Sequence, residues 1–206
     1  MQLYFAPFAC SLASHITARE AGVDIQLTSV ALATKRTADG EDFLAIAPKG
    51  QVPALRLDGG MVLTEGPAVL QYLADAAPAS GLLPAPGTEQ RYRAIERVNV
   101  GTEIHKLCFY LMFAPDAPAE AKTWADGLLA NKLAYVNAQL LGRDFLVPGQ
   151  FTIADAYMTW ALTICQKIGV KLDELPALSS YLDAMHARPA VQAALAAEAA
   201  AAQAGA

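Results

Sequence analysis

The feature that most constrains this chain is a change of periodicity across "APASGLLPAPGT", Ala77 to Thr88. Three prolines and two glycines make that stretch a poor helix or strand and a good linker. Before it, strand and helix patterns alternate; after it, every pattern is helical. A chain divided in this way folds as two domains, residues 1–80 and residues 88–206.

In the first half, Gln2 to Phe5 suits a strand, and Ser11 to Ala21 reads as a helix closed by Gly22, a favoured residue just past a helix end. "DIQLTSVAL", Asp24 to Leu32, alternates as a strand does. A strand, a helix and a strand within about 30 residues normally make a right-handed parallel crossover. The polar loop "TKRTADG" and a short helical stretch from Asp42 to Ile46 come next. Strands at Ala54–Leu57 and Met61–Leu63 then flank "LDGG", whose Asp-Gly pair signals a tight hairpin. A helix from Glu65 to Ala76 completes the order β-α-β-α-β-β-α, the layout of an α/β thioredoxin-like domain. The second half predicts an all-α domain, with helices over Glu89–Phe113, Ala119–Leu141, Thr152–Ile168 and Ser179–Met185 and a last one from about Ala190. "FTIAD" starts one of these, with Thr152 as N-cap and Asp155 at N3 in a variant capping box, which is a folding signal. The alanine-rich tail "AALAAEAAAAQAGA" is expected to fray and is given no role.

Composition excludes several classes of function. The chain is 54% hydrophobic and 17% charged with a net charge of -5, so it reads as compact and soluble, without a nucleic-acid-binding surface. No apolar run approaches the roughly 20 residues that span a bilayer, and no signal-type N-terminus is present, so no membrane partner is expected and a cytoplasmic location is the default. Cys10, Cys108 and Cys165 are far apart and lack metal-ligand or CxxC spacing, which argues against a disulfide framework or a metal site. Thiol chemistry here is single-cysteine chemistry, with Cys108 and Cys165 as core fillers.

Cys10, in "PFACSLASH", lies at the start of the first helix, where orphan N–H groups and the helix dipole favour a thiolate. From position alone a buried cysteine is an equal alternative. "KGQVPAL" adds a proline immediately before a strand, a candidate cis bond in this topology, which would expose the backbone of Val52 to an extended peptide. In "LTEGPAV", Glu65 and the N–H of Gly66 offer an acceptor for an ammonium and a donor for a carboxylate, and Lys35 could take a second carboxylate. "NVGTEIHK" puts Asn99, Glu103 and Lys106 on one helical face, with His105 displaced around it; alone, that reads as a solvated face.

The ordered set "YFAPFACSLASH", "LATKRT", "APKGQVP", "LTEGPAVLQYLAD", "NVGTEIHK" and "FTIADAY" resembles the bacterial beta class of glutathione S-transferases over nearly the whole chain. The resemblance implies a homodimer that uses glutathione as co-substrate, with no prosthetic group, in detoxification or redox chemistry. It puts Cys10 beside the glutathione sulfur, Lys35 at the glycyl carboxylate, Val52 with Pro53 at the cysteinyl backbone, and Glu65 with Gly66 at the γ-glutamyl group. Asn99, Glu103, Ile104, His105 and Lys106 are implied at the same ligand, His105 and Lys106 as a base and a cation near the sulfur. Ser11 rivals Cys10 for activation of the thiol, because serine does that work in related classes. Phe8, Met112, Phe113, Trp160 and Ile164 are expected to form a pocket for an apolar electrophile of unspecified identity. The absence of an arginine after the Cys10–Ser11 pair weakens a reading as the related maleylacetoacetate isomerase type. The implied activity is conjugation of glutathione to hydrophobic electrophiles, with thiol–disulfide exchange through Cys10. A thiol transferase or a non-catalytic binder of the same fold is the alternative.

Overall fold

Strand β1 (Gln2–Phe5) sends alternate side chains through the sheet it belongs to. Leu3 joins Ala18, Leu55, Val69 and Leu73 on one face, and Tyr4 joins Val30, Phe43, Ala47, Val52 and Ala54 on the other. The computed structural model that contains this core describes residues 1–109 and 114–204, with the main chain alone at 107 and 108. After β1 come α1 (Ser11–Ala21), β2 (Gln26–Ala31), β3 (Arg36–Thr37), α2 (Phe43–Ile46), β4 (Ala54–Arg56), β5 (Val62–Thr64) and α3 (Gly66–Ala76). The sheet order is β3-β2-β1-β4-β5, with β1 and β2 parallel and the other pairings antiparallel. The parallel β1–β2 pair and the β4–β5 hairpin are those of the thioredoxin-like layout that the first half predicts. The short strand β3 is an addition: Arg36 and Thr37 turn back onto Ala31 and Val30, because Thr37 is buried and Lys35 adopts a positive φ of 56° that reverses the chain.

The segment from Ser11 to Ala18 is buried on every side, and five of its eight residues are serine, threonine or alanine, small enough to let neighbours approach closely: Ser11, Ala13, Ser14, Thr17 and Ala18. That burial is explained by two partners, α3 on one side and the C-terminal helix α8 (Pro189–Ala204) on another. The chain forms two compact units, one built from Met1–Pro84 together with the segment from His186, the other from Ala85–Met185. The alanine-rich tail, expected to fray, is helical as far as Ala204. Val191, Ala194 and Glu198 are buried, and small side chains are what allow a helix to lie close against α1.

The second unit contains α4 (Glu89–Glu103), α5 (Ala119–Leu140), α6 (Ile153–Lys167) and α7, which starts at Pro176 and ends at His186. The single helix expected from Glu89 changes character after Glu103, continuing as a π-helical turn over Ile104–Phe109. Helix α6 is buried nearly all round and packs on α4, so it is the core of the unit. Its start carries the predicted capping box: Thr152 Oγ1 accepts from the Ala154 N–H, and Asp155 Oδ2 accepts from the Thr152 N–H at 2.8 Å. Among the described residues no helix is long and apolar enough to cross a membrane.

Candidate functional site

In the first unit, the turn from β1 into α1 is built around the Cys10–Ser11 pair, and the two side chains go to different fates. Ser11 is fully buried; its hydroxyl accepts from the Ala6 N–H at 3.2 Å and lies 3.3 Å from the Ala6 carbonyl, to which it donates. That hydroxyl closes the turn onto Ala6. Cys10 is the N-cap of α1, half-buried, and its thiol donates to the Val52 carbonyl at 3.2 Å. The Val52–Pro53 bond is cis, as the proline before β4 led us to expect.

The same turn is held from the far end of the chain. Phe8 has a φ of 61° and donates its N–H to Glu198 Oε2 at 2.6 Å. Glu198 is fully buried on α8 and also meets His15 Nδ1 at 3.4 Å, while Arg19 Nε donates to His15 Nε2 at 2.8 Å. Since Nε2 accepts, Nδ1 carries the proton and donates to the carboxylate. Nothing in the composition of an alanine-rich tail reveals this carboxylate; its one signal is a lone glutamate amid alanines.

Lys35 and Glu65 follow the same pattern of strained main chain with a polar side chain. Lys35 donates from Nζ to the Gly50 carbonyl at 2.8 Å. Gly50 has a φ of 60°, and a Cβ there would lie 3.0 Å from Leu44 Cδ2, so a side chain at this position would be strained. Glu65 has φ 72° and ψ 119° and immediately precedes α3, whose first residue is Gly66 and whose second is Pro67. Its carboxylate is half exposed and pairs with Lys49 Nζ at 2.8 Å, which also donates to Thr64 Oγ1 at 3.1 Å. Sequence reasoning missed Lys49, although it stands inside the "KGQVPAL" segment.

In the second unit, Asn99 and Glu103 are exposed on α4, and Glu103 pairs with Lys132 of α5. Ile104, implied at the ligand, is fully buried, and its side chain is core. His105 and Lys106 stand on the π-helical turn, His105 half-buried and Lys106 exposed. Burial of the ring, and then the positive charge of Lys106, hold the His105 imidazole below the usual histidine value, so it is neutral at pH 7. Its Nδ1 lies 3.3 Å from the Tyr157 hydroxyl, and its ring meets Trp160 edge-on with centroids 4.8 Å apart. Trp160 is only 3% exposed and also stacks on Tyr157 and Phe109, so most of it belongs to the core rather than to an open pocket. Ile164 is half-buried and Cys165 fully buried. Met112 and Phe113, and the side chain of Cys108, lie outside the described residues.

Comparison with known proteins finds similar proteins over nearly the whole chain. The family described as glutathione S-transferase, N-terminal domain, matches residues 9–76, and glutathione S-transferase, C-terminal domain, matches residues 102–189. Glutathione S-transferase GstA of Escherichia coli O157:H7 is 46% identical over 199 residues, covering 96% of this chain and 98% of that protein. A sphingomonad glutathione S-transferase solved in complex with glutathione superposes with a TM-score of 0.92 at 46% identity, covering 97% of this chain and 99% of the other. A bacterial beta class glutathione S-transferase of Sphingomonas chungbukensis superposes with a TM-score of 0.90 at 41% identity, over 96% and 98% of the two chains.

Proposed function

This chain belongs to the bacterial beta class of the glutathione S-transferase family, and from that premise we propose how its residues serve the reaction. It is a glutathione transferase with glutathione as co-substrate. The observation that carries the assignment of roles is the Cys10 thiol at the N-terminus of α1, 3.2 Å from the Val52 carbonyl beside Pro53.

Glutathione lies extended along Val52, its cysteinyl main chain pairing with that residue as an added strand would and Pro53 holding the edge open. Its sulfur then meets Cys10, while Lys35 takes the glycyl carboxylate. At the other end Glu65 takes the γ-glutamyl ammonium and the N–H of Gly66 the neighbouring carboxylate. In the second unit the family resemblance offers Asn99, Glu103, His105 and Lys106 as candidates for the same ligand, and His105, neutral at pH 7, is able to accept a proton. The thiolate attacks an apolar electrophile, forming a carbon–sulfur bond as the leaving group departs with the displaced electron pair. Of the residues expected at the apolar electrophile, half-buried Ile164 is the described one of the second unit that keeps a surface for it, Trp160 being core. Holding the two reactants together and stabilising the thiolate supply the rate gain.

The working form is a homodimer, a reading supported by the exposed aromatic and apolar side chains of the second unit, among them Tyr92 at 63%, Trp124 at 58% and Leu141 at 63%. Cytoplasmic detoxification is the setting that suits a half-buried thiol kept reduced. The test is titration calorimetry: Glu65→Ala weakens glutathione binding by at least about tenfold, since a charge-assisted pair is lost. An unchanged dissociation constant overturns the role given to Glu65.

A further inference from the structure

Lys49 has no place in the scheme above, although it touches a residue that does. The turn from Ala47 to Gly50 is closed by the Gly50 N–H, which donates to the Ala47 carbonyl at 2.8 Å, and Gly50 supplies the positive φ of 60° that the turn needs. Lys35 Nζ is tied to the Gly50 carbonyl at 2.8 Å, whereas Lys49 Nζ reaches the end of β5, where it donates to Thr64 Oγ1 at 3.1 Å and to Glu65 Oε1 at 2.8 Å. Acceptors on consecutive residues thus fix this ammonium beside the Glu65 carboxylate. All of these residues belong to the first compact unit. The Lys49 and Glu65 side chains are 54% and 46% exposed, and an ion pair so exposed adds little to folding stability. Its consequence lies in what the pair meets from solvent.

That consequence is electrostatic. Glu65 by itself would attract any ammonium, but with Lys49 Nζ at 2.8 Å the two side chains together are net neutral. A ligand amine that approaches this carboxylate also approaches the Lys49 ammonium, a repulsion that a negative charge carried beside the amine offsets. The α-amino acid end of glutathione carries both charges on one carbon, so its ammonium meets Glu65 while its carboxylate lies in the field of Lys49. A carboxylate offers about four lone-pair sites on its two oxygens, which lets Glu65 keep Lys49 while it accepts the ligand. We propose that Lys49 is a specificity-determining residue: it makes the Glu65 position select a zwitterion, an ammonium and a carboxylate together, over an amine alone. The inference rests on the reading of Glu65 as the acceptor for the γ-glutamyl ammonium.

Calorimetry with three thiols separates the charges: glutathione, 4-aminobutyryl-cysteinylglycine, which lacks only the α-carboxylate, and glutaryl-cysteinylglycine, which lacks only the ammonium. Wild type prefers glutathione to the aminobutyryl analogue, and Lys49→Met reduces that preference about tenfold by weakening glutathione and strengthening the analogue. The glutaryl analogue moves the other way and binds Lys49→Met more weakly than wild type, because the uncompensated Glu65 charge repels it. Lys49→Arg keeps the charge and with it the wild-type preference. A lysine that merely braced the turn would weaken all three ligands by one factor, so a preference equal in wild type and Lys49→Met overturns the proposal. Tighter binding of glutathione itself to Lys49→Met also overturns it, since Lys49 would then be a plain competitor for Glu65. If Lys49→Met folds poorly, the same comparison in Lys49→Gln decides. Failure of the functional reading has a different signature: Glu65→Ala then binds glutathione as tightly as wild type does, and the reading and the proposal fall together.

Discussion

Phe8, Lys35 and Glu65 are the non-glycine residues with positive φ among the described residues, and each is one that the sequence assigns to ligand binding. Such a main chain is costly for a side chain with a Cβ and persists where the surroundings enforce it. The rivalry of Cys10 and Ser11 shows what a string of letters cannot carry: both are small and polar, and only the direction of each side chain separates them. The Ser11 hydroxyl turns inward to Ala6 and the Cys10 thiol toward Val52. Asp155 carries a prediction at this scale. It is fully buried and accepts from the Leu146 and Thr152 N–H groups and the Thr152 and Tyr181 hydroxyls, yet burial outweighs those bonds and raises its pKa from 3.8 to about 6. The folded state therefore holds this proton more tightly than the unfolded state. Its contribution to stability is fully present below about pH 4 and is lost as the pH rises through about 6. Denaturant midpoints of wild type and Asp155→Asn should accordingly diverge in favour of wild type on going from pH 7 to pH 4.5, and parallel curves would contradict the shift.

At the scale of elements, periodicity was sufficient to read four of the five strands, the crossover and the capping box, because alternation and N-cap chemistry are local, while the two-residue β3 was read as loop. The C-terminal helix was not legible, since its role depends on a partner almost the whole chain away. Its alanines supply closeness to α1, and Glu198 supplies the acceptor for the Phe8 N–H and for His15. Removing that carboxylate takes away the hydrogen bonds it accepts from the part-buried Phe8 N–H and from the buried His15 imidazole. Glu198→Ala should cost about 1–3 kcal/mol of stability in urea unfolding. It should also lower the affinity for glutathione, because the Phe8 turn leads into Cys10. A variant as stable as wild type would show that α8 holds that turn by packing alone. The π-helical turn over Ile104–Phe109 was likewise hidden, as one extra residue in a helix leaves the apolar pattern almost intact.

For the whole molecule, the linker at residues 77–88 and the two periodicities were enough to predict two folded regions, while the return of the tail to the first unit was beyond them. Ordered motifs gave the family because their sequence along the chain is far more specific than any single one. Lys49 escaped because a lysine beside a glycine carries no signal until its Glu65 partner is visible. Light scattering at micromolar concentration should return twice the 21.7 kDa chain mass, and a monomer there would remove the dimer from this account. The central claim is that Cys10 stands at the sulfur of glutathione. It is tested most directly by mass spectrometry of the protein after incubation with oxidised glutathione, in which the Cys10 thiolate attacks the disulfide, forms one mixed disulfide and releases one glutathione thiolate. A single glutathione adduct on wild type that is absent from Cys10→Ala is the predicted result; an adduct of the same size on both proteins would contradict it.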